Sequence, residues 1–176
     1  MALDLGVDGV FVPRVNTAAE ARYAVNAAKY GPVGKRGIGP WRASDYYQNM
    51  GEYIETANQN TTLILQIEDI EAVGNLDAIL AVPGFDAAYI GPADLSASMG
   101  IYGQFEHPGF VAAVETVRTK CKAAGMPLGF DTRDVAHLKH LADQGFQVLT
   151  LGSDIDYLIS GAQALASQIR QALKPK

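Results

Sequence analysis

Five short apolar runs alternate with helical segments along this chain, and that alternation restricts its fold more than any other feature of the sequence. Each run is bounded by Gly, Pro or acidic residues, which is typical of buried strands in a parallel sheet. We predict strands over residues 7–15, 61–68, 86–91, 127–131 and 147–151. The alternation predicts an α/β protein whose parallel sheet is covered by helices. Because no repeat or linker interrupts it, we expect a single domain over residues 1–176.

The segments between these strands carry the start and stop signals of helices. Thr17 and Glu20 form a capping-box pattern, and Pro108 suits the first turn of a later helix. Helices are predicted over residues 17–30, 45–58, 70–80, 109–124, 132–144 and 155–173, with a loop over 96–106. Segment 31–44 is rich in Gly and contains Arg36 and Arg42. It either carries one of these arginines toward the carboxyl edge of the sheet or leaves them paired with surface acids.

Two of the apolar runs stop at carboxylates, Glu68 and Asp94, which lie 26 residues apart. That interval is the length of one β-helix-β unit, so both side chains are expected at the carboxyl ends of neighbouring parallel strands. This edge is where α/β proteins build their sites. A pair of acidic oxygens on rigid strands suits a hard divalent cation such as Mg²⁺ or Mn²⁺. The alternative is that each carboxylate only caps the helix that follows it.

Composition excludes several classes of function. The net charge of −5 is diffuse and basic residues form no run, which argues against a nucleic-acid partner. Cys121 is the only cysteine, so the chain forms no internal disulfide and no zinc–thiolate cluster. There is no signal-peptide pattern and no apolar run long enough to span a bilayer, so we expect no membrane partner and a cytoplasmic protein.

Residues 65–68 (Leu-Gln-Ile-Glu) and 90–95 (Ile-Gly-Pro-Ala-Asp-Leu) resemble segments of the metal-dependent pyruvate aldolases of the HpcH/HpaI family. Residues 35–37 (Lys-Arg-Gly) and 107–108 (His-Pro) extend the resemblance, which runs from about Leu5 to the C-terminus. The family includes 4-hydroxy-2-oxoheptanedioate and 2-dehydro-3-deoxyglucarate aldolases. The resemblance implies a (β/α)8 TIM barrel of the phosphoenolpyruvate/pyruvate superfamily. The five predicted strands then correspond to strands four to eight, and the first three are expected to be absent from this chain.

The same resemblance assigns roles to individual residues. It makes Glu68 and Asp94 the ligands of a divalent metal, which would be Mg²⁺, Mn²⁺ or Co²⁺. Gln66 shares a strand face with Glu68 and would hydrogen-bond the substrate; alternatively, it is a core glutamine satisfied by the backbone. The amides of Ala93 and Asp94 would hold the carboxylate of pyruvate. Gly91 and Pro92 would shape the turn that presents these amides.

The implied reaction is the metal-dependent aldol cleavage of 4-hydroxy-2-oxo acids to pyruvate and an aldehyde, or the reverse condensation. The family's general base and its pyruvate-binding arginine belong to the missing region. Arg14 ends a strand at the functional edge and is a candidate anion-binding, catalytic residue, although it does not match the family's arginine. We expect His107, His137 and His140 to be non-catalytic. Alone, this chain is therefore expected to be weakly active or inactive.

Two other functions stay open at this point. One is a thioester lyase similar to the citrate lyase β-subunit, and the other is a non-catalytic metal-binding fragment. The resemblance also implies a homo-oligomer, a trimer or a hexamer. Its interface would include an apolar stripe on the last helix, formed by Leu158, Ile159, Ala162, Leu165, Ala166 and Ile169.

Overall fold

The structure of the protein, a computed structural model, describes residues 2–173, and these form a curled, five-stranded parallel half-barrel. The strands are β1 (Gly9–Val12), β2 (Thr62–Ile67), β3 (Ala87–Ile90), β4 (Leu128–Thr132) and β5 (Val148–Leu151). They lie side by side in chain order, and every neighbouring pair is parallel. The predicted α/β class and all five predicted strands are confirmed. The expected domain bounds include residues 1 and 174–176, which lie outside the described residues.

Helices connect the strands. A 3-10 turn, Leu3–Leu5, precedes β1. The α-helices are α1 (Ala18–Ala28), α2 (Met50–Asn60), α3 (Ile70–Gly74), α4 (Leu76–Leu80), α5 (Pro92–Ser98), α6 (Pro108–Ala124), α7 (Val135–Asp143) and α8 (Asp154–Ala172). Within residues 2–173, no helix has the length and apolar character needed to cross a membrane.

The predicted capping signals form as expected. Thr17 Oγ1 accepts the Glu20 N–H at 3.2 Å, and Glu20 Oε2 accepts the Thr17 N–H at 2.9 Å. Pro108 occupies the first turn of α6, where His107 Nδ1 accepts the Gly109 N–H at 3.1 Å. These local hydrogen bonds satisfy amides that have no partner within the helix, and they fix where α1 and α6 begin.

Two predicted helices differ from the structure. The helix predicted over 45–58 begins only at Met50, because Asp45, Tyr46 and Tyr47 have positive φ angles that a right-handed helix excludes. The helix predicted over 70–80 is divided into α3 and α4 at Asn75. The Asn75 side chain donates from Nδ2 to the Asn16 carbonyl at 3.0 Å, and so ties this break to the loop after β1.

The loop predicted over 96–106 is wrong in its first part. Residues Pro92–Ser98 form α5, with Pro92 at the first helical position and Gly91 as the N-cap. Proline is favoured there because its missing N–H would be unpaired in any case. Ser96 Oγ then accepts the Gly103 N–H at 3.1 Å, which holds the following loop against the helix.

The two faces of the sheet are packed differently. Leu63, Leu65 and Ile67 of β2 are fully buried and join the main core, which lies between the sheet and the helices. The alternate residue Ile64 belongs to a separate, smaller cluster with residues of β3 and β5 on the inner face of the curl. Phe11 of β1 remains 47% exposed on its strand. The inner face therefore has little hydrophobic packing of its own.

Arg36 does not lie at the carboxyl edge of the sheet. Of the two alternatives for segment 31–44, pairing with an acid is the one that the structure shows for this arginine. Its guanidinium pairs with the carboxylate of Asp4 at 2.7 Å. Asp4 precedes β1 and so lies at the opposite edge of the sheet. It also stacks over the Tyr30 ring at 4.5 Å and donates to Tyr53 Oη at 3.2 Å. Burial raises the pKa of Asp4, but hydrogen bonding and nearby positive charge, that of Arg36 included, give it a net decrease. Arg42 stays exposed.

We expect Arg36→Leu to lower the free energy of unfolding at neutral pH by about 2 kcal/mol, since it removes the hydrogen-bonded ion pair with Asp4 at a partly buried site. The Asp4 pKa is depressed in the folded state, so the loss should shrink as pH falls through and below the ordinary range of an aspartate. Urea unfolding at several pH values measures this. The control is Lys139→Ala, whose pair with Asp143 is largely exposed and should change stability little. Equal losses in the two variants would contradict the expectation.

Candidate functional site

The register of β2 and β3 brings the predicted site residues together at the carboxyl edge of the sheet. Gln66 pairs with Tyr89, and Ile67 pairs with Ile90, so Glu68 and Gly91 leave the sheet side by side. A cleft of about 320 Å³ opens at this point. It is lined by Phe11, Gln66, Glu68, Tyr89, Gly91, Pro92, Ala93, Asp94 and Asp131.

Glu68 is the most buried acid in this cleft, with 5% of its surface exposed. Its Oε1 accepts the Arg14 N–H at 2.9 Å, which is the only hydrogen bond to this carboxylate from residues 2–173. Burial raises the pKa of Glu68, the Arg14 amide lowers it, and the negative charge of Asp94 raises it again, with a net increase. A carboxylate in this position is stabilised by any cation that binds beside it.

Gly91 provides the space that the second oxygen of Glu68 occupies. A Cβ atom at Gly91 would lie 2.3 Å from Glu68 Oε2, too close for the carboxylate to stay where it is, and 3.1 Å from Glu68 Cβ, which is also a tight contact. Any other residue at position 91 would therefore displace the carboxylate. The requirement is local, because the same test at Gly37 finds no atom within 4 Å.

Asp94 and Ala93 lie in the first turn of α5 and are exposed to the cleft. Their backbone N–H groups have no partner within the helix, as in the first turn of any α-helix. Asp94 lines the same cleft as Glu68, and its negative charge contributes to the raised pKa of Glu68. Helix α5 thus presents an acidic side chain and unpaired amides to one side of the cleft.

Gln66 is half-buried and lines the cleft. Its side chain makes no hydrogen bond to any residue within 2–173. The alternative of a core glutamine required hydrogen bonds from the backbone to this side chain, and the described residues provide none. Its amide is available to a molecule bound beside Glu68.

Arg14 contacts the site through its backbone. Its φ of +52° turns the chain after β1 so that its N–H reaches Glu68. The side chain is 67% exposed, lies 3.4 Å from Asp69 Oδ2, and is not among the groups that line the cleft. The three histidines also lie elsewhere: His107 caps α6, His137 Nδ1 lies 3.1 Å from Thr132 Oγ1, and His140 contacts Gln144.

Three residues near the cleft were missed by the sequence analysis: Tyr89, Asp131 and Thr150. The Tyr89 hydroxyl hydrogen-bonds Thr150 Oγ1, and Thr150 donates to Asp131 Oδ1 at 2.8 Å. One signal for Asp131 was present, since it is the last residue of the strand predicted over 127–131, as Glu68 is of the strand predicted over 61–68. The contact with Tyr89 depends on the strand register and has no local signal.

The cleft suits a divalent cation that keeps part of its own hydration. Within residues 2–173, no three His, Cys, Asp or Glu side chains form a cluster able to hold a metal. Mg²⁺ commonly needs fewer, since it binds through one or two carboxylates and takes its other oxygens from water and substrate. Glu68 and Asp94, which line the same cleft, match that donor set.

Comparison with known proteins gives aldolases both by sequence and by structure. The profile of the HpcH/HpaI aldolase/citrate lyase family matches residues 1–161. The chain is 37% identical to the 2-dehydro-3,6-dideoxy-6-sulfogluconate aldolase of Pseudomonas putida, over 99% of this chain and 69% of the relative. It is 40% identical to the 4-hydroxy-2-oxo-heptane-1,7-dioate aldolase of Salmonella typhimurium and to a pyruvate aldolase of Rhizobium etli. These two alignments cover 94% of this chain and 64% or 65% of the relatives.

The crystal structure of an HpcH/HpaI aldolase from Desulfitobacterium hafniense superimposes with a TM-score of 0.87 and 35% identity, over 98% of this chain and 67% of that one. The chain thus spans about two thirds of the length of its relatives, and the five-stranded sheet corresponds to part of their fold. The resemblance drawn from residues 65–68 and 90–95 is confirmed, and the named relatives are aldolases, which are carbon–carbon lyases. The chain belongs to the HpcH/HpaI aldolase/citrate lyase family.

Proposed function

We propose that this chain carries the metal-binding and pyruvate-binding part of a class II pyruvate aldolase, which cleaves 4-hydroxy-2-oxo acids to pyruvate and an aldehyde. The observation that carries the proposal is the buried Glu68 carboxylate, which lines the same cleft as Asp94 at the carboxyl edge of the sheet and for which Gly91 leaves room. The names of the relatives support the substrate class.

Glu68 and Asp94 would hold Mg²⁺, Mn²⁺ or Co²⁺, which when bound supplies Lewis-acid stabilisation of the enolate that forms as the carbon–carbon bond breaks. Gln66 donates a hydrogen bond to the substrate from the same strand face as Glu68. The amides of Ala93 and Asp94 bind the carboxylate of pyruvate. Pro92, which has no N–H, fixes the start of the turn that orients these amides.

The Arg14 side chain, which lies beside Asp69, stays a candidate for binding an anionic group of the substrate. Its main contribution in this proposal comes from its backbone, which positions Glu68. Substitution of the side chain should therefore leave cation binding intact.

Glu68→Gln should raise the dissociation constant for Mn²⁺ at least about tenfold, because it removes one full charge from direct contact with the cation. Titration followed by the electron paramagnetic resonance signal of free Mn²⁺ measures the change. Glu71→Gln is the matched control, since Glu71 is exposed in the first turn of α3 and outside the cleft. Equal affinities in wild type and Glu68→Gln would exclude the proposed metal site.

The 176-residue chain by itself should have little turnover. None of its histidines lines the cleft, and the family's general base and pyruvate-binding arginine have no counterparts that we recognise in this sequence. Strands β1 and β5 also form the two edges of the described sheet, which leaves the inner face, including Phe11, open. Such edges favour pairing with further strands.

We expect pyruvate release from a 4-hydroxy-2-oxo acid with Mn²⁺ to be lower by about 10²–10⁴-fold for this chain than for a version extended by the family's first three strands. A missing general base costs about that much. Equal, rapid turnover by both proteins would show that the base lies within residues 1–176. No turnover by either would favour the non-catalytic or thioester-lyase alternatives.

We also propose that the chain forms a homo-oligomer, a trimer or a hexamer, through α8. None of the described α8 residues is buried, although the helix carries an apolar stripe that includes Leu158, Leu165 and Ile169. An exposed apolar stripe of this length is typical of an interaction surface.

Light scattering should show an oligomer for the wild type and a smaller species for Leu158→Lys, because a charge in the stripe opposes its burial. Ser160→Lys places the same charge on the opposite face of α8 and should leave the mass unchanged. A monodisperse wild-type monomer would contradict this part of the proposal.

A further inference from the structure

The inner face of the half-barrel contains a hydrogen-bonded chain that the proposed reaction does not use. It consists of Tyr89 on β3, Thr150 on β5 and Asp131 on β4. Asp131 pairs in register with Thr150, while Tyr89 pairs with Gly129, the residue two positions before Asp131. The Tyr89 side chain therefore crosses β4 to reach Thr150.

The direction of these hydrogen bonds follows from the groups involved. A carboxylate only accepts, so the Thr150 hydroxyl donates to Asp131 Oδ1 at 2.8 Å. A hydroxyl has one proton, so Thr150 must accept from the Tyr89 hydroxyl. Burial raises the pKa of Tyr89, which keeps this residue protonated as a donor.

Packing holds the Tyr89 ring in place. A Cβ atom at Gly129 would lie 2.3 Å from Tyr89 Cδ2, so the ring occupies the space that any other side chain at 129 would fill. Phe11 packs edge-to-face against the ring, with 5.0 Å between centroids. The position of Asp131 is thus set by an ordered chain of contacts that spans β1, β3, β4 and β5.

Asp131 has one oxygen left for a ligand. Its side chain lines the same cleft as Glu68 and Asp94, and within residues 2–173 it joins no cluster able to hold a metal. Oδ1 is occupied by Thr150, whereas the described residues supply Oδ2 with neither a hydrogen bond nor an ion pair. A free carboxylate oxygen in a cleft recognises a hydroxyl or an ammonium group.

The charge of the cleft makes this recognition selective. Three of its lining residues are carboxylates, and the lining includes no Lys, Arg or His side chain from the described part of the chain. A divalent cation held by Glu68 and Asp94 would offset two of the three charges. A second acidic group on the substrate would then face Asp131 without a compensating cation.

On the basis of the proposed function, we propose that Asp131 determines substrate specificity. Held by Thr150 and Tyr89, it accepts a hydrogen bond from a hydroxyl group on the aldehyde-derived half of the substrate and disfavours a second carboxylate there. The substrate class is therefore the neutral, hydroxylated 2-oxo acids, which carry no acidic group beyond the 1-carboxylate.

The test compares two ligands of equal chain length that differ only at C5, 5-hydroxy-2-oxopentanoate and 2-oxoglutarate. Neither has the 4-hydroxyl group that cleavage requires, so the measurement is of binding alone. Their dissociation constants, and that of pyruvate, are measured on the Mn²⁺-loaded chain by water-proton relaxation. We expect the wild type to bind the hydroxylated ligand about tenfold more tightly than 2-oxoglutarate, the size of one like-charge interaction in a partly solvated cleft.

Asp131→Asn should bring the ratio of the two dissociation constants close to one by strengthening the binding of 2-oxoglutarate. The affinity for pyruvate should stay unchanged within about twofold. Asp143→Asn changes the net charge equally at an exposed site on α7 and should keep the wild-type ratio. Thr150→Val keeps the charge of Asp131 but removes the hydrogen bond that positions it. It should therefore weaken the binding of the hydroxylated ligand and leave the binding of pyruvate unchanged. Thr150→Val also allows the role of Asp131 to be tested if Asp131→Asn does not fold.

The outcomes separate the two proposals. If pyruvate does not bind the Mn²⁺-loaded wild type, the proposed function fails and this inference fails with it. If pyruvate binds but the ratio is the same in wild type, Asp131→Asn and Thr150→Val, the role of Asp131 is overturned and the proposed function stands.

Discussion

The burial of one carboxylate, Glu68, at the end of a central strand is the constraint on which the rest of the site depends. Removing most of a charged group from water is costly, and here a single backbone N–H, that of Arg14, offsets part of the cost. The positive φ of Arg14 and the glycine at position 91 both serve to keep the carboxylate in this place. A divalent cation held by Glu68 would offset more of this cost, because it stabilises the ionised form.

Parallel pairing turns this local arrangement into a cleft. The register of β2, β3, β4 and β5 sets Gln66 beside Tyr89 and Asp131 beside Thr150, all on the face of the sheet that is turned away from the main core. The core on the other face, with Leu63, Leu65 and Ile67 fully buried, holds the strands rigid. The helices thus stabilise one face of the sheet, and the other remains available for chemistry.

Much of the fold could be predicted from local sequence, and less of the site. Apolar runs and the Thr17–Glu20 capping pattern locate strands and helix starts because each depends on neighbours in sequence. Helix α5 was missed, since Pro92 and Gly91 mark a turn as readily as a helix start. Arg36 was assigned two possible positions because its partner, Asp4, lies 32 residues away. The Tyr89–Thr150–Asp131 chain depends on register across three strands, which no local pattern contains.

The most direct test of whether a divalent cation binds at Glu68 is the affinity of Gly91→Ala for Mn²⁺, with Gly37→Ala as the control. The added methyl group at position 91 would meet Glu68 Oε2 at 2.3 Å, whereas the one at position 37 meets nothing within 4 Å. Because Glu68 must then move, we predict that Gly91→Ala raises the dissociation constant for Mn²⁺ at least about tenfold while Gly37→Ala leaves it unchanged. Wild-type affinity in a folded Gly91→Ala protein would show that the cation does not bind at Glu68.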